Sequence, residues 1–142
     1  MNKVELRKIY KHKRHNLSFD AIQKLQENIY KQIYELDLAD IKTIHIFLTL
    51  EKFKEIDTTP IINYFRSKNI KIVVSKSDFT NNTLSHFYLD KDTEIELNKY
   101  GIPEPKNAIQ AKEKELDIVF VPLLISDECN YRVGYGKGFY DR

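Results

Sequence analysis

Thr43-Ile44-His45-Ile46-Phe47-Leu48, then Thr58-Thr59-Pro60 with Ile61, Tyr64 and Phe65 behind it, then Ile70-Lys71-Ile72-Val73-Val74 form the stretch whose reading decides the fold. The first run is short, β-branched and almost continuously apolar, the pattern of a strand covered on both faces. His45 inside it reads as a satisfied core or edge histidine rather than a ligand. Thr58-Thr59-Pro60 supplies a cap followed by proline in the first helical turn, and Ile61, Tyr64 and Phe65 give that helix its buried face. A strand, a helix of roughly ten residues and a second strand in direct succession make the crossover that sets neighbouring strands parallel. An α/β sheet is expected.

Upstream, residues 2 to about 15 are rich in helix formers, and Ser18 can cap a second helix. Phe19, Ile22, Leu25, Ile29, Ile33 and Leu36 recur at spacings of three or four, so they are expected on one stripe facing the core. Downstream, residues 75–82 are polar and read as a loop, and Thr83-Leu84-Ser85-His86-Phe87-Tyr88-Leu89 alternates as a half-exposed strand does. Residues 90–114 are charged and irregular. Gly101-Ile102-Pro103-Glu104-Pro105 reads as a fixed, extended loop, because its prolines lack the donor that a helix or central strand needs. Asp117-Ile118-Val119-Phe120-Val121 reads as the most buried strand of the chain. Asp127-Glu128-Cys129-Asn130-Tyr131 reads as a turn, with Asn130 in the left-handed region.

Composition narrows the function. The 142 residues suffice for one core but not comfortably for two. Lys plus Arg total 23 against 21 for Asp plus Glu, a net charge of +2 that is too balanced for general nucleic-acid binding. The single Cys129 cannot form an internal disulfide, and His12, His15, His45 and His86 lack zinc-ligand spacing. Cys129, in an acidic turn, reads as incidental and a poor nucleophile. No apolar run approaches the ~18 residues that span a bilayer, and the charged N-terminus is unlike a secretory signal. A cytoplasmic protein without membrane or nucleic-acid partners is expected.

Chemistry concentrates at the two ends. Three of the four glycines, Gly134, Gly136 and Gly138, fall in Arg132-Val133-Gly134-Tyr135-Gly136-Lys137-Gly138-Phe139-Tyr140-Asp141. Glycine permits positive φ and lets backbone N–H groups converge on an anion, so the segment reads as a phosphate cradle charged by Arg132 and Lys137. A glycine-rich hairpin with incidental charges is the alternative. The spacing matches neither the P-loop nor the dinucleotide fingerprint. At the other end Lys3, Arg7 and Arg14 share one stripe of the first helix, either a basic arm for a polyphosphate or a solvated face.

Lys3-Val4-Glu5-Leu6-Arg7, Arg14 with Leu17-Ser18, Gly101-Ile102-Pro103-Glu104-Pro105, Val121-Pro122 and Arg132 through Arg142 occur in the order and spacing of the 5-formyltetrahydrofolate cyclo-ligase family, which the whole chain resembles. The most specific element is Gly-Tyr-Gly-Lys-Gly-Phe-Tyr-Asp-Arg. The resemblance implies a three-layer α/β/α sandwich with a mostly parallel sheet, and an enzyme that uses ATP and Mg2+ to convert 5-formyltetrahydrofolate to 5,10-methenyltetrahydrofolate. By position it implies nucleotide binding by Lys3, Val4, Glu5, Leu6 and Arg7 and by Arg132, Val133, Gly134, Tyr135, Gly136, Lys137, Gly138, Phe139 and Tyr140. Lys137, Arg132 and Tyr140 would act in catalysis, and Asp141 would hold the metal. Leu48, Leu50, Glu55 and Tyr135 would contact the folate, with Glu55 as a plain surface carboxylate the alternative. A formamide oxygen is a poor leaving group. Its phosphorylation by ATP, attack by N10 and loss of phosphate need no protein nucleophile, only positioning and charge neutralisation.

Asn130 stands where the family usually has glycine, and Leu123-Leu124-Ile125-Ser126 replaces a stretch that usually contains glycine and phenylalanine. Family members continue beyond Tyr-Asp-Arg, so the chain is expected to be a single domain, residues 1–142, lacking the C-terminal part of the family fold and impaired in turnover. A small-molecule enzyme, monomeric or weakly homo-oligomeric, is the leading expectation. The alternatives are a nucleotide-binding domain without catalysis and a folate-sequestering protein that needs neither ATP nor Mg2+.

Overall fold

The computed structural model describes residues 2–141, the last of these by its backbone alone. In chain order the elements are α1 (Lys3–His15), α2 (Phe19–Tyr34), β1 (Thr43–His45), α3 (Thr59–Ser67), β2 (Lys71–Asp78), β3 (Thr83–Tyr88), β4 (Glu94–Leu97), β5 (Pro103–Lys106), β6 (Gln110–Ala111), β7 (Ile118–Val119), β8 (Ile125–Ser126) and β9 (Arg132–Val133). Short 3-10 turns lie at Glu51–Phe53, Glu113–Glu115 and Phe139–Asp141. Among the described residues no helix is long and apolar enough to cross a membrane.

The crossover forms as read. β1 runs parallel to β2 with Ile44 opposite Ile72, and parallel to β7 with Ile44 opposite Ile118. β3 and β6 add antiparallel strands on the other side, giving the order β6-β3-β2-β1-β7. This is a mixed α/β sheet with a parallel centre. Strand alternation divides its residues between two faces. Ile44, Ile46, Ile72 and Val74 join Ile33 of α2 and Ile61, Ile62 and Phe65 of α3 in the main core. Phe65 has no exposed surface, so truncating it to alanine would cost roughly 3–5 kcal/mol. His45, Val73 and Ser75 alternate with that set, and on their side the last 3-10 turn packs on β3.

Four expectations are corrected. The stripe on α2 is rotated: Ile33 and Gln26 are buried, whereas Phe19, Leu25, Ile29 and Leu36 are exposed. Polar anchoring explains this, since Gln26 Oε1 accepts the Asp57 N–H at 2.7 Å and the Tyr30 hydroxyl donates to the Asp57 carbonyl at 2.5 Å. Residues 75–78 continue β2 because β3 pairs with them out to Asp78 opposite Thr83. Residues 90–114 hold a two-stranded ribbon, β4 with β5, and the short β6. Both prolines of β5 fit because a two-stranded ribbon leaves one edge of each strand without ladder bonds. The strand expected to be the most buried, β7, instead ends the sheet, and Val119 is 46% exposed. Asn130 takes φ 65° as expected, and the Asp127 side chain accepts the N–H groups of Cys129 and Tyr131 to close the β8–β9 turn.

Candidate active site

Sequence chemistry fixes α1 first. Asn2 caps it, the Asn2 side chain accepting the Glu5 N–H at 2.9 Å while the Glu5 carboxylate accepts the Asn2 N–H at 3.1 Å. Arg7 and Arg14, two turns apart, then lie on one face. Both reach the far end of the chain. Arg7 Nε donates to the Gly134 carbonyl at 3.0 Å; Arg14 donates to the Tyr135 hydroxyl at 2.6 Å and to the Leu123 carbonyl at 2.7 Å. All three acceptors are neutral, and among the described residues no carboxylate lies within ion-pair distance of either arginine. Among the described residues, then, the direct hydrogen-bond partners of the two guanidinium groups are neutral oxygens.

The glycine segment is shaped around this contact. Gly136 has φ 96° and Gly138 φ 68°, the region that side chains disfavour. A Cβ on Gly136 would meet Arg7 Cζ at 3.2 Å, whereas one on Gly134 would meet nothing within 4 Å. The guanidinium therefore lies directly over a backbone stripped of side chains, as an anion-binding cradle requires.

Tyr135 links the cradle to Glu55. Its hydroxyl accepts from Arg14 and donates to Glu55 Oε2 at 3.3 Å, and Glu55 Oε1 accepts the Leu50 N–H at 2.8 Å. Burial raises the Glu55 pKa, opposed by the Leu50 N–H, the Tyr135 hydroxyl and the charge of Arg14. Lys54, in the left-handed region at φ 51°, donates to the His15 and Leu17 carbonyls and ties the Glu51–Phe53 turn to α1. A cavity of about 320 Å³ opens here, lined by Lys11, His12, Arg14, Lys52, Phe53 and Tyr135, with the two aromatic rings 5.6 Å apart. On the other side of the Phe139–Asp141 turn, a second cavity of about 290 Å³ is lined by His45, His86, Glu113, Val119, Phe139 and Tyr140, among others. Tyr140 is kept protonated by burial and then by the field of Glu55.

Of the residues singled out from the sequence, Arg7, Gly134, Tyr135, Gly136, Leu50 and Glu55 come together. Leu50 contributes its backbone, and Leu48 packs against the main core. Leu6 and Val133 are half-buried beside the junction, while Lys3, Val4 and Glu5 are exposed at the start of α1, the Glu5 carboxylate serving the cap. Arg132 and Lys137 are exposed on the segment and both have interaction partners. Phe139 packs edge-on against Phe79 at 5.2 Å, and Phe79 against Tyr100 at 4.6 Å. The Asp141 side chain lies outside the described residues. Sequence reasoning missed the stacking of Phe53 on Tyr135, the packing of Phe79 and Tyr100 behind Phe139 and the bonds of Arg14, for which the seven-residue spacing from Arg7 was the available signal.

A cradle of glycine backbone, two arginines held by neutral acceptors and an adjoining aromatic and basic cavity can bind a polyanion attached to a flat ring. The model of the 5-formyltetrahydrofolate cyclo-ligase family matches residues 1–142. The chain is 33% identical to the 5-formyltetrahydrofolate cyclo-ligase of Haemophilus influenzae, over 99% of this chain and 74% of that protein. It is 26% identical to a probable 5-formyltetrahydrofolate cyclo-ligase of Schizosaccharomyces pombe, over 99% and 71%. The solved structure of the Aquifex aeolicus 5,10-methenyltetrahydrofolate synthetase superposes with TM-score 0.83 at 29% identity, covering all of this chain and 71% of that one. With extent, order and fold agreeing, the chain belongs to the 5-formyltetrahydrofolate cyclo-ligase family.

Proposed function

We propose that this protein catalyses the ATP-dependent ring closure of 5-formyltetrahydrofolate to 5,10-methenyltetrahydrofolate, with release of ADP and phosphate. The observation that carries this is the arrangement of Arg7 and Arg14, brought from α1 onto the glycine segment and held there by carbonyl and hydroxyl oxygens. In this reading Arg7, Arg132 and Lys137 neutralise the phosphates, Lys3 extends the same stripe, and the backbone from Val133 to Tyr140 encloses the nucleotide. Glu55, with Leu50 and Tyr135, orients the folate. The Tyr140 hydroxyl stays protonated and donates at the reacting end.

Transfer of the γ-phosphoryl to the formyl oxygen converts a poor leaving group into a good one. N10 then bonds to the activated carbon, and phosphate departs. The protein's contribution is alignment and charge neutralisation. Magnesium, when bound, screens the phosphoryl oxygens; it takes one or two carboxylates together with water and phosphate oxygens. Asp141 is the carboxylate we assign to it. Among the described residues no three His, Cys, Asp or Glu side chains cluster into a metal cage.

Incubation with 5-formyltetrahydrofolate, with and without MgATP, tests the proposal. Methenyl absorbance and ADP should appear together and only with MgATP. Folate binding without turnover in the presence of MgATP would refute it.

A further inference from the structure

Arg14 is brought onto the glycine segment, yet the reaction described above gives it no task. Its guanidinium spans two acceptors, the Tyr135 hydroxyl at 2.6 Å from Nη1 and the Leu123 carbonyl at 2.7 Å from Nη2. With both ends of the planar fork engaged, the group cannot turn without giving up a bond.

The protons along this contact can be ordered. A guanidinium has donors and no acceptor, so the Tyr135 oxygen accepts from Arg14 and its single proton is left for another group. Glu55 Oε2 lies 3.3 Å away and takes it. The Leu50 N–H holds the other oxygen, Oε1, at 2.8 Å. One donor on each oxygen fixes the plane of the carboxylate, which, with about four lone-pair sites, can still accept from a ligand. Charge acts in the same direction. Burial by itself favours the Glu55 proton, whereas the Leu50 N–H, the Tyr135 hydroxyl and the charge of Arg14 favour the ionised form. An ionised carboxylate accepts where a protonated one donates, and the pterin ring of a folate presents N–H groups along its edge.

We propose that Arg14 is a positioning residue for the folate: through the Tyr135 hydroxyl it orients the Glu55 carboxylate to accept the N–H groups of the pterin ring. This rests on the reading above, in which Glu55 orients the folate. Arginines two turns apart on α1 then set two sites, Arg7 the glycine cradle and Arg14 the folate carboxylate. Tyr135 belongs to both. Its backbone lies between Gly134, whose carbonyl accepts from Arg7, and Gly136, beneath the Arg7 guanidinium, while its side chain reaches Glu55. The groups facing Glu55 are Arg14 of α1, Tyr135 of the glycine segment and Tyr140 of the last turn, besides the Leu50 N–H.

Calorimetric binding of 5-formyltetrahydrofolate to the intact protein from pH 5 to 8, together with turnover, tests this in wild type, Arg14→Gln, Arg14→Lys and Glu55→Gln. Losing a hydrogen bond to a charged group weakens binding about tenfold or more. Arg14→Gln should therefore raise the folate Kd and KM about tenfold, with the MgATP KM within about twofold of wild type. Folate binding needs ionised Glu55, so it falls as pH drops through the Glu55 pKa. Arg14→Gln removes a charge that holds this value down, and the fall should move to higher pH. Arg14→Lys keeps the charge but not the fork, so binding should weaken while the fall stays near its wild-type pH. Glu55→Gln should lack this fall and keep only what His12 and His15, which line the adjoining cavity, contribute. In that background Arg14→Gln should change the folate Kd less than about twofold. Additive losses in the double variant, an unshifted fall in Arg14→Gln, or a raised MgATP KM with the folate KM unchanged would overturn the assignment. If Arg14→Gln fails to fold by circular dichroism, Tyr135→Phe, which removes the same donor from Glu55, must move the fall to higher pH or the assignment fails. A wild-type protein that binds the folate but forms no methenyl product with MgATP overturns the cyclisation reading, and the binding profiles still decide Arg14. Active wild type with a profile indifferent to Arg14→Gln overturns the Arg14 assignment alone.

Discussion

Tyr135→Phe removes one oxygen from the link between the two ends of the chain, and its cost can be worked from the geometry. The hydroxyl accepts from Arg14 at 2.6 Å and donates to Glu55 at 3.3 Å. Hydrogen bonds to charged groups contribute roughly 1.5–3 kcal/mol net; the shorter bond belongs in that range and the longer one at or below its lower end. Arg14 keeps the Leu123 carbonyl and Glu55 keeps the Leu50 N–H, and water from the adjoining cavity replaces part of what is lost. The expected loss is about 2 kcal/mol, read as a fall of roughly 5–8 °C in the unfolding midpoint for a chain of this size. The Glu55 pKa should rise further, because a donor to its carboxylate is gone. Denaturant unfolding of Tyr135→Phe, Arg14→Ala and the double variant should give a coupling energy of about 1–2 kcal/mol. Additive effects, with Tyr135→Phe within about 0.5 kcal/mol of wild type, would refute the claim that this hydroxyl joins α1 to the cradle.

Gly136→Ala should weaken MgATP binding about tenfold, since positive φ strains a side chain by about 1–2 kcal/mol and the new Cβ meets Arg7 Cζ at 3.2 Å. Gly101→Ala, at φ 76° with open space around it, should lower stability and leave calorimetric MgATP affinity unchanged; equal affinity losses would contradict this. Glu55, with its pKa raised by burial, prefers its proton in the folded state, so its stabilisation is present at low pH and lost as pH rises through the raised value. Glu55→Gln should therefore match wild type near pH 4 and equal or exceed its stability at pH 7, and a deficit unchanged between the two would oppose the assignment. His45 has the opposite sign: its folded pKa of about 4 against 6.5 means stability is complete above pH 6.5 and falls, by on the order of 3 kcal/mol, as pH drops toward 4. Urea midpoints from pH 7 to 4.5 should show this slope, and His45→Asn should flatten it.

The crossover was legible because β1, α3 and β2 lie close in sequence and each carries its own pattern: branched apolar residues, proline in the first turn, branched apolar residues again. The glycine segment was legible because its spacing has few purely structural uses. The face of α2 was not, since Gln26 and Tyr30 turn the helix by bonding the Asp57 backbone, and periodicity counts only apolar residues. The β4–β5 ribbon was hidden by Pro103 and Pro105, which exclude a central strand but not an edge. The bond from Arg14 to Tyr135 spans 121 positions, and the hydrogen-bonded His45–Ser75–His86 chain joins three strands. The first follows from α1 packing on the glycine segment, with only the seven-residue spacing of Arg7 and Arg14 to hint at it, and the second from the register of β1, β2 and β3.

The central claim, that the Gly134–Gly138 backbone under Arg7 grips the nucleotide's phosphates, can be measured amide by amide. The chain has four glycines, so protein labelled with nitrogen-15 glycine gives four backbone signals. Titration with MgATP should shift Gly134, Gly136 and Gly138 together and leave Gly101 in place, and Arg7→Ala should weaken the response of all three. Shifts at Gly101 alone, or saturable MgATP binding that leaves the other three unmoved, would contradict the account.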